Sequence, residues 1–438
     1  MTTTPASSRS AAPNDSAAGA SAELRAQVVA AHGASRVLGQ TGTEQKNAAL
    51  ASIADRLRQR TQDIVTANAE DLAAAKAAGT ESQWLDRILL DADRVENLAN
   101  SLANVIALPD PVGVTIDESV QPSGLRIGRV RVPLGLIASI YENRPNVTID
   151  IAALCLKSGN AAVLRGGREA VRSNTLLASI LHEGLHAAGL PPDAVQLVRN
   201  PDRALVGELL QMRDLIDLMI PRGGKALIER VIAEAKMPVV AGGIGICHTY
   251  VDAAADLSMA VDIVDNAKTR RVSICNALDV VLVHQDVAST LLPALAQRWG
   301  TRVEVRADET SLPLLTEAGA NAIPVGPDDY DTEFLAMRCA VRVVENISDA
   351  LQHIEDHGSG HSEAIVTGDY GHAERFLNEV DAAAVFVNAS TQFSDGGEFG
   401  LGAEVGIATG KMHARGPMAL RELTSYKWIV RGDGQTRP

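Results

Sequence analysis

Apolar residues recur every three or four positions among charges from Ser21 to about Leu108, as in TEQKNAALASIADRLRQRTQDIVTANAEDLAAAKAAG, and this period predicts helix. Pro109 and Pro111 end that stretch. The period then changes. In VGVTIDESVQPSGLRIGRVRVPLGLIASIY, alternating apolar residues flank a Pro-Ser-Gly turn, which predicts a hairpin leading into a buried strand at Leu136–Ile140. Short apolar runs next alternate with helical periods. Helix NVTIDIAALCLKSG, stopped by Gly159, precedes strand NAAVLRGG; helix SNTLLASILHEGLHAAG precedes strand AVQLV; helix VGELLQMR precedes strand IDLMIP. Helix GKALIERVIAEAK and the short strands MPVVAGG and CHTYVD complete this part.

A second unit opens at Leu257, with a helix to Arg270, strand Asp279–Val283, helix Ala288–Trp299 and strand Arg302–Val305. Strand AVRVVE, helix SDALQHIEDHG, strand EAIVTG, helix GHAERFLNEV and strand AAVFVNA follow. The last fifty residues read as Gly-rich loop and then an edge strand, LTSYKWIVRG. Repeated strand–helix–strand order predicts an α/β chain with parallel sheets covered by helices on both faces. No repeat of solenoid period is present.

Composition narrows the classes. At 438 residues the length corresponds to about three domains. Aromatics are only 3%, so the cores are built from Ala, Val, Leu and Ile. The formal charge of −14 disfavours nucleic acid and anionic membrane as partners and requires any anionic ligand to find a locally basic pocket. No apolar run is long enough to span a bilayer. The opening MTTTPASSRSAAPNDSAAGASAE lacks the apolar core of a secretory signal, and residues 1–20 read as a disordered tail. Cys155, Cys247, Cys275 and Cys339 are scattered, with no zinc spacing, which points to a reducing, cytoplasmic setting.

HEGLH, from His182 to His186, fits the H-E-x-x-H zinc pattern, but Gly184 weakens the helix and Pro192 stands where the extended pattern needs a histidine. We therefore expect a solvated helix face and no metal. Strict G-x-G-x-x-G and P-loop motifs are absent. Two strand ends carry glycine pairs beside arginines: Arg165, Gly166 and Gly167, and Arg222, Gly223 and Gly224. Bare backbone before a helix suits phosphate oxygens, though Gly-Gly is also a plain turn. Cys275 stands at a loop-to-strand junction, downstream of Lys268, Arg270 and Arg271, which favour a thiolate. The alternative for Cys275 is a packed, inert thiol.

These stretches together resemble the aldehyde dehydrogenase superfamily, in its γ-glutamyl phosphate reductase branch. The resemblance runs from about Ala22 to Gly432 through VPLGLIASIYENRPNVT, KSGNAAVLRGGREAVRSN, AGLPPDAVQLV, GGIGICHTYVD, NAKTRRVSICNALDVVLVH, HGSGHSEAIVTGD and GEFGLGAEVGIATGKMHARGPMALRELTSYKWIVRG. It implies that Cys275 is the nucleophile, that Asn143 supplies the oxyanion amide, that Arg165 holds the adenosine ribose and that Glu333 steadies the nicotinamide ribose. Where ordinary members carry the glutamate of Glu-Leu-Gly-Gly, this chain reads VVAGGIG, with Val240 or Ala241 at that position. A chain without that base is suited to passing an acyl group between thiolate and phosphate.

The resemblance thus implies NADPH-dependent reduction of L-glutamyl 5-phosphate through a cysteine thioester, in proline biosynthesis. Arg144, Lys268, Arg270, Arg271 and Arg415 are the candidate substrate cations. It further implies a cofactor domain over 21–112 and 133–256, a catalytic domain over 257–385, and an oligomerisation element over 113–132 and 386–438. A homo-oligomer and functional coupling to glutamate 5-kinase belong to the same expectation. The competing readings are plain aldehyde oxidation, a zinc hydrolase at HEGLH and a binding protein on a relic nucleotide fold.

Overall fold

The computed structural model describes residues 15–437. The chain divides into two compact units. One takes the residues up to Ala99, Leu134–Met219 and Ala233–Pro238; the other takes Asn100–Pro133, Ile220–Ile232 and Val239 onward.

In chain order, five helices come first: α1 (Asp15–Leu38), α2 (Thr43–Gln59), α3 (Thr61–Ala77), α4 (Ser82–Ile88) and α5 (Ala92–Ala107). The hairpin β1 (Thr115–Val120) and β2 (Arg126–Pro133) belongs to the second unit. The first unit resumes with β3 (Leu136–Tyr141), α6 (Asn146–Lys157), β4 (Ala161–Arg165), α7 (Val171–Ala187), β5 (Val195–Leu197), α8 (Ala204–Leu209) and the start of β6 (Leu218–Arg222), whose residues from Ile220 on belong to the second unit. Its sheet has the order β5-β4-β3-β6, with β3, β4 and β5 parallel. Every residue of β3 is buried, as a strand covered on both faces must be. α6 stops at Gly159 (φ +77°), in a conformation that suits glycine.

The tail expected over 1–20 lies outside the described residues as far as residue 14. From Asp15 the backbone is helical, a correction to that expectation. Four alanines between Ala17 and Ala22 favour helix, and α1 is anchored by buried Leu24, Val28 and Ala31.

After α9 (Lys225–Glu234), the second unit contains β7 (Cys247–Val251), α10 (Leu257–Thr269), β8 (Leu278–His284), α11 (Gln285–Trp299), β9 (Glu304–Ala307), α12 (Ser311–Glu317) and β10 (Asn321–Pro324). It continues with β11 (Arg338–Val344), α13 (Ile347–His357), β12 (Ser362–Val366), α14 (Tyr370–Glu379), β13 (Ala384–Val387), β14 (Gly406–Ala408), β15 (Gly416–Met418) and β16 (Thr424–Arg431). Seven parallel strands run in the order β10-β9-β11-β8-β7-β12-β13. β8 shows why both faces are covered. Leu278, Val281 and Val283 pack with Val264, Leu291, Leu295 and Trp299 on one side, while Val280 and Leu282 pack with Ile347, Ala350, Ile354 and Phe376 on the other. Side-chain caps fix the helix starts: Asp256 accepts from Met259 N, Asn346 from Ser348 N and Asp349 N, and Asp369 from His372 N.

Three details differ from the sequence reading. The seven-stranded sheet includes β7, which the sequence reading placed at the end of the first part. MPVVAGG is not a strand; only Val239 makes an isolated bridge. The Gly-rich stretch contains the small antiparallel pair β14–β15, and the short α12 and β10 were not foreseen. The expected alliance of the hairpin with the last strand is present: β16 pairs with β2 from Thr424↔Pro133 to Arg431↔Arg126 in the sheet β1-β2-β16.

Gly184 has a packing reason inside α7. A Cβ there would lie 2.3 Å from Ile53 Cγ1 and 3.1 Å from the Ile53 backbone nitrogen, so glycine lets α7 seat against α2. Gly184→Ala gains about 1 kcal/mol of helix propensity but meets an overpacking cost of about 1–3 kcal/mol. We expect a lower denaturation midpoint, measured by circular dichroism in urea; a raised midpoint would contradict this packing.

Candidate active site

β8, β7 and β12 are parallel neighbours, so the segments entering them meet at one edge of the sheet. Those segments carry Cys275, Gly245–Ile246 and His361. Cys275 lies in the turn closed by Ala277 N donating to Ile274 O, three residues before β8. Gly245 passes directly beneath it. A Cβ on Gly245 would come within 2.7 Å of the Cys275 carbonyl carbon and 2.9 Å of its Cβ. No side chain fits between these strand entries.

Of the four free cysteines, Cys275 alone is half-buried; Cys155, Cys247 and Cys339 are buried. His361 Nε2 lies 3.2 Å from Cys275 Sγ, and His361 Nδ1 lies 2.9 Å from Ser362 Oγ. Cys247 donates its thiol to the Cys275 carbonyl at 3.3 Å. Burial pushes the Cys275 thiol up to about 11; Arg222 opposes this, while Glu333 and Glu404 reinforce it. Burial pushes His361 down to about 4. The resting pair is therefore a neutral thiol facing a neutral imidazole, not the thiolate expected from a basic loop.

The turn is fastened from behind. Asn276 Nδ2 donates to Gln392 O at 3.3 Å and Ser394 O at 3.0 Å, and Thr391 Oγ1 donates to Asn276 O at 2.8 Å. Gln392 Nε2 reaches Ala267 O and Arg271 O, and Arg270 donates to Gln392 Oε1 at 2.9 Å. Arg270 is thus a brace of the loop. Lys268 is fully buried, its ammonium 2.6 Å from Leu278 O and 3.3 Å from Asp279 Oδ1. That pairing gives it a structural role in place of the expected substrate contact. Arg415 pairs with Asp381 at 2.6 Å, and the Arg271 side chain is exposed.

Arg222, expected beside a phosphate cradle, is the cation that acts most strongly on Cys275, and its guanidinium packs over Gly406. Gly223 and Gly224 form the turn from β6 into α9. Glu333 contributes to the charge around Cys275 and Cys247. Glu404, which accepts from Gly396 N at 3.0 Å, is pushed upward chiefly by burial. His361, Asn276 and Gln392 were missed from sequence. The stretch HGSGHSE drew attention, but nothing local says that its second histidine meets a cysteine 86 positions away.

In the first unit, chain order turns about β3, whose neighbours are β4 on one side and β6 on the other. Ligands of open α/β sheets sit where order reverses, outside the carboxyl ends. The loop leaving β3 there holds Asn143, at φ +48°, and Arg144. Gly167 lies against it: a Cβ would be 3.4 Å from Asn143 N. Gly166 is required by the protein itself, since a Cβ would strike Asn174 Nδ2 at 2.1 Å. Half-exposed Arg165 ends β4 and donates to Pro201 O at 2.9 Å, and exposed Arg168 follows. Arg165 and Arg168, the latter paired with Glu169 at 3.2 Å, stand at a carboxyl edge, where guanidinium groups suit the phosphates of a dinucleotide. The decoy helix has another occupation, with His182 Nε2 2.6 Å from Val195 O. Among the described residues no helix is long and apolar enough to cross a membrane.

The chain belongs to the aldehyde dehydrogenase family, which it matches over residues 3–323, and within that family to the gamma-glutamyl phosphate reductases. It is 53% identical over 417 residues to the gamma-glutamyl phosphate reductase of Dehalococcoides mccartyi, covering 95% of this chain and 98% of that one. It is 48% identical to the Escherichia fergusonii reductase, covering 92% and 97%. The crystal structure of the Thermotoga maritima reductase superposes with a TM-score of 0.91 at 43% identity, over 95% of this chain and all of that one. Family membership makes the chain an oxidoreductase and indicates a nicotinamide cofactor.

Gly245→Ala tests the strand-entry geometry. The added methyl must displace the Cys275 backbone, and a shift of about 1 Å costs on the order of 10² in rate. We expect turnover to fall at least that far with the circular dichroism spectrum preserved; wild-type turnover would contradict the close passage.

Proposed function

We propose that this chain catalyses NADPH-dependent reduction of L-glutamyl 5-phosphate to L-glutamate 5-semialdehyde and phosphate, the second step of proline biosynthesis from glutamate. The observation that carries the reading is Cys275, the one partly open thiol, standing against an imidazole at a strand edge in a chain with full-length similarity to such reductases.

Cys275 Sγ attacks the acyl carbon and forms a thioester. Negative charge develops on the carbonyl oxygen, where the Cys275 backbone N–H and the Asn143 amide are the proposed donors. Bound NADPH supplies the hydride that converts the thioester to the aldehyde. Its phosphates are assigned to Arg165 and the backbones of Gly166, Gly167, Gly223 and Gly224, and its nicotinamide ribose to Glu333. Arg165 can pair with a 2′-phosphate bidentately, which favours NADPH over NADH. Arg222 and Arg144 are the proposed cations for the acyl phosphate; Arg222 is preferred to Lys268, Arg270 and Arg415 because those three have protein partners of their own. The product's amine closes on its aldehyde to 1-pyrroline-5-carboxylate without help. A labile acyl phosphate favours coupling to the glutamate 5-kinase that makes it, in a cytoplasmic setting that keeps four cysteines free. The exposed Val120, Trp428 and Val430 of the β1-β2-β16 sheet support assembly with further copies.

Val240 is 3% exposed and Ala241 is half-buried, so either candidate for the position of the usual hydrolytic glutamate carries a hydrocarbon side chain. Mixing protein, NADPH and freshly generated glutamyl phosphate should consume nicotinamide absorbance. Strong aldehyde oxidation without phosphate would instead favour the plain oxidoreductase. Cys275→Ala should abolish reduction while leaving NADPH binding nearly intact by fluorescence titration. Asn143→Ala should lower kcat by one to three decades at similar KM, about 1.4–4 kcal/mol of transition-state stabilisation. An unchanged kcat would remove Asn143 from the chemistry.

A further inference from the structure

We propose that His361 is a catalytic residue of this reaction: its Nε2 takes the proton of Cys275 as sulfur attacks and hands it to the departing phosphate. The proposal rests on the reading of Cys275 as nucleophile.

Contact comes first. Nε2 is 3.2 Å from Sγ, within reach of an S–H···N hydrogen bond. The ring cannot easily turn away, because His361 is 1% exposed and its other nitrogen faces Ser362 Oγ at 2.9 Å. In the tautomer whose Nδ1–H donates to that hydroxyl, Nε2 is the acceptor toward sulfur. Cys247 Sγ, 3.9 Å from Nδ1, closes the same side.

Need comes second. The charges acting on Cys275 are Arg222, which favours ionisation, and Glu333 and Glu404, which oppose it; burial outweighs Arg222. Cys247 is a buried thiol whose neighbours include Glu363, Asp279 and Glu333, so it offers no cation. Lys268 and Arg270 are held by other partners. A thiolate formed in advance has little support here, and the proton must leave as the S–C bond forms. His361 is the base in contact with it.

The proton and electron accounts close. As S–C forms, the S–H proton moves to Nε2. As the bond between the acyl carbon and the phosphate oxygen breaks, its electron pair goes to that oxygen and Nε2–H returns the proton there, leaving neutral imidazole and monohydrogen phosphate. After hydride delivery to the acyl carbon, the C–S pair returns to sulfur and solvent restores the thiol. One hydride and one proton are consumed per acyl phosphate.

The test compares wild type with His361→Gln, whose amide can accept a hydrogen bond but take up no proton, and with His361→Asn. Two readouts are used: kcat and KM for glutamyl phosphate, and the rate of Cys275 alkylation by iodoacetamide between about pH 6 and pH 9. We expect kcat to fall by about 10²–10⁴ with KM within a few-fold. Alkylation should be nearly flat with pH in wild type and rise about tenfold per pH unit in the variants, where only free thiolate reacts. Folded variants with wild-type kcat and a flat profile overturn the proposal. If both variants misfold, the wild-type profile decides, and a tenfold rise per pH unit there overturns it as well. Failure of wild type to reduce glutamyl phosphate with the flat profile intact would sink the substrate assignment and leave the dyad standing.

Discussion

Everything in the catalytic unit depends on the passage of Gly245 beneath Cys275. β7 and β8 enter their sheet side by side, and a side chain at 245 would occupy the space of the Cys275 carbonyl. The close approach of the two segments that enter β7 and β8 fixes the direction of the cysteine backbone. The adjoining bonds follow from it. Asn276, one residue on, reaches the 392–394 backbone, and Gln392 ties that segment to the end of α10 through Ala267 and Arg271. The Cys275 turn is thereby tied to the end of α10 and to the 391–394 segment as well as to the entry of β7.

That placement has an electrostatic consequence. A sulfur seated against strand backbones loses solvation, and desolvation disfavours its charged form more than one nearby guanidinium can restore. The same desolvation shelters an acyl phosphate from competing water. It also explains why the charge economy of the whole chain, at −14, is no guide to the site. What matters is one cation, Arg222, contributed by a segment more than fifty positions from the cysteine.

Much of the fold was legible because period reports environment. β8 reads LDVVLVH, whose Val280–Val283 run is apolar since both of its faces carry helices; α13 shows a polar face because only one side meets the sheet. The errors have equally local causes. MPVVAGG carries the composition of a strand, but its glycines serve close passages against Ile407 and the segment stays extended without a ladder. The domain boundary at 257 followed a helix start, whereas β7, ten residues earlier, already pairs with β8 and β12. In the site, the junction and motif single out Cys275 in the sequence, and it is the half-buried thiol of the four. Two of the charges credited to it have other partners. Lys268 and Arg270 are neighbours in sequence, but a helix end carries their side chains into the packed interior and the 390s segment. Partnerships with His361 and Gln392 exist only in three dimensions.

In the proposed reaction, the leaving group explains why the chemistry centres on Cys275. Phosphate departs readily from an acyl carbon, so the demanding events are attack by sulfur and, later, release of sulfur. Thiolate nucleophilicity increases with thiol basicity, with a Brønsted coefficient of about 0.4–0.5, so a rise from the ordinary value to about 11 makes the anion roughly sixfold to tenfold more reactive. If the anion had to form in advance, the same rise would cut its population about a hundredfold, a net loss. A base touching sulfur changes the balance, because ionisation and bond formation then occur together and the population term disappears. Release is the reverse problem: a basic thiolate leaves slowly unless its charge is met, and Arg222 is the cation placed to meet it. In the proposed reaction, burial, imidazole and guanidinium therefore bear on one atom, the Cys275 sulfur.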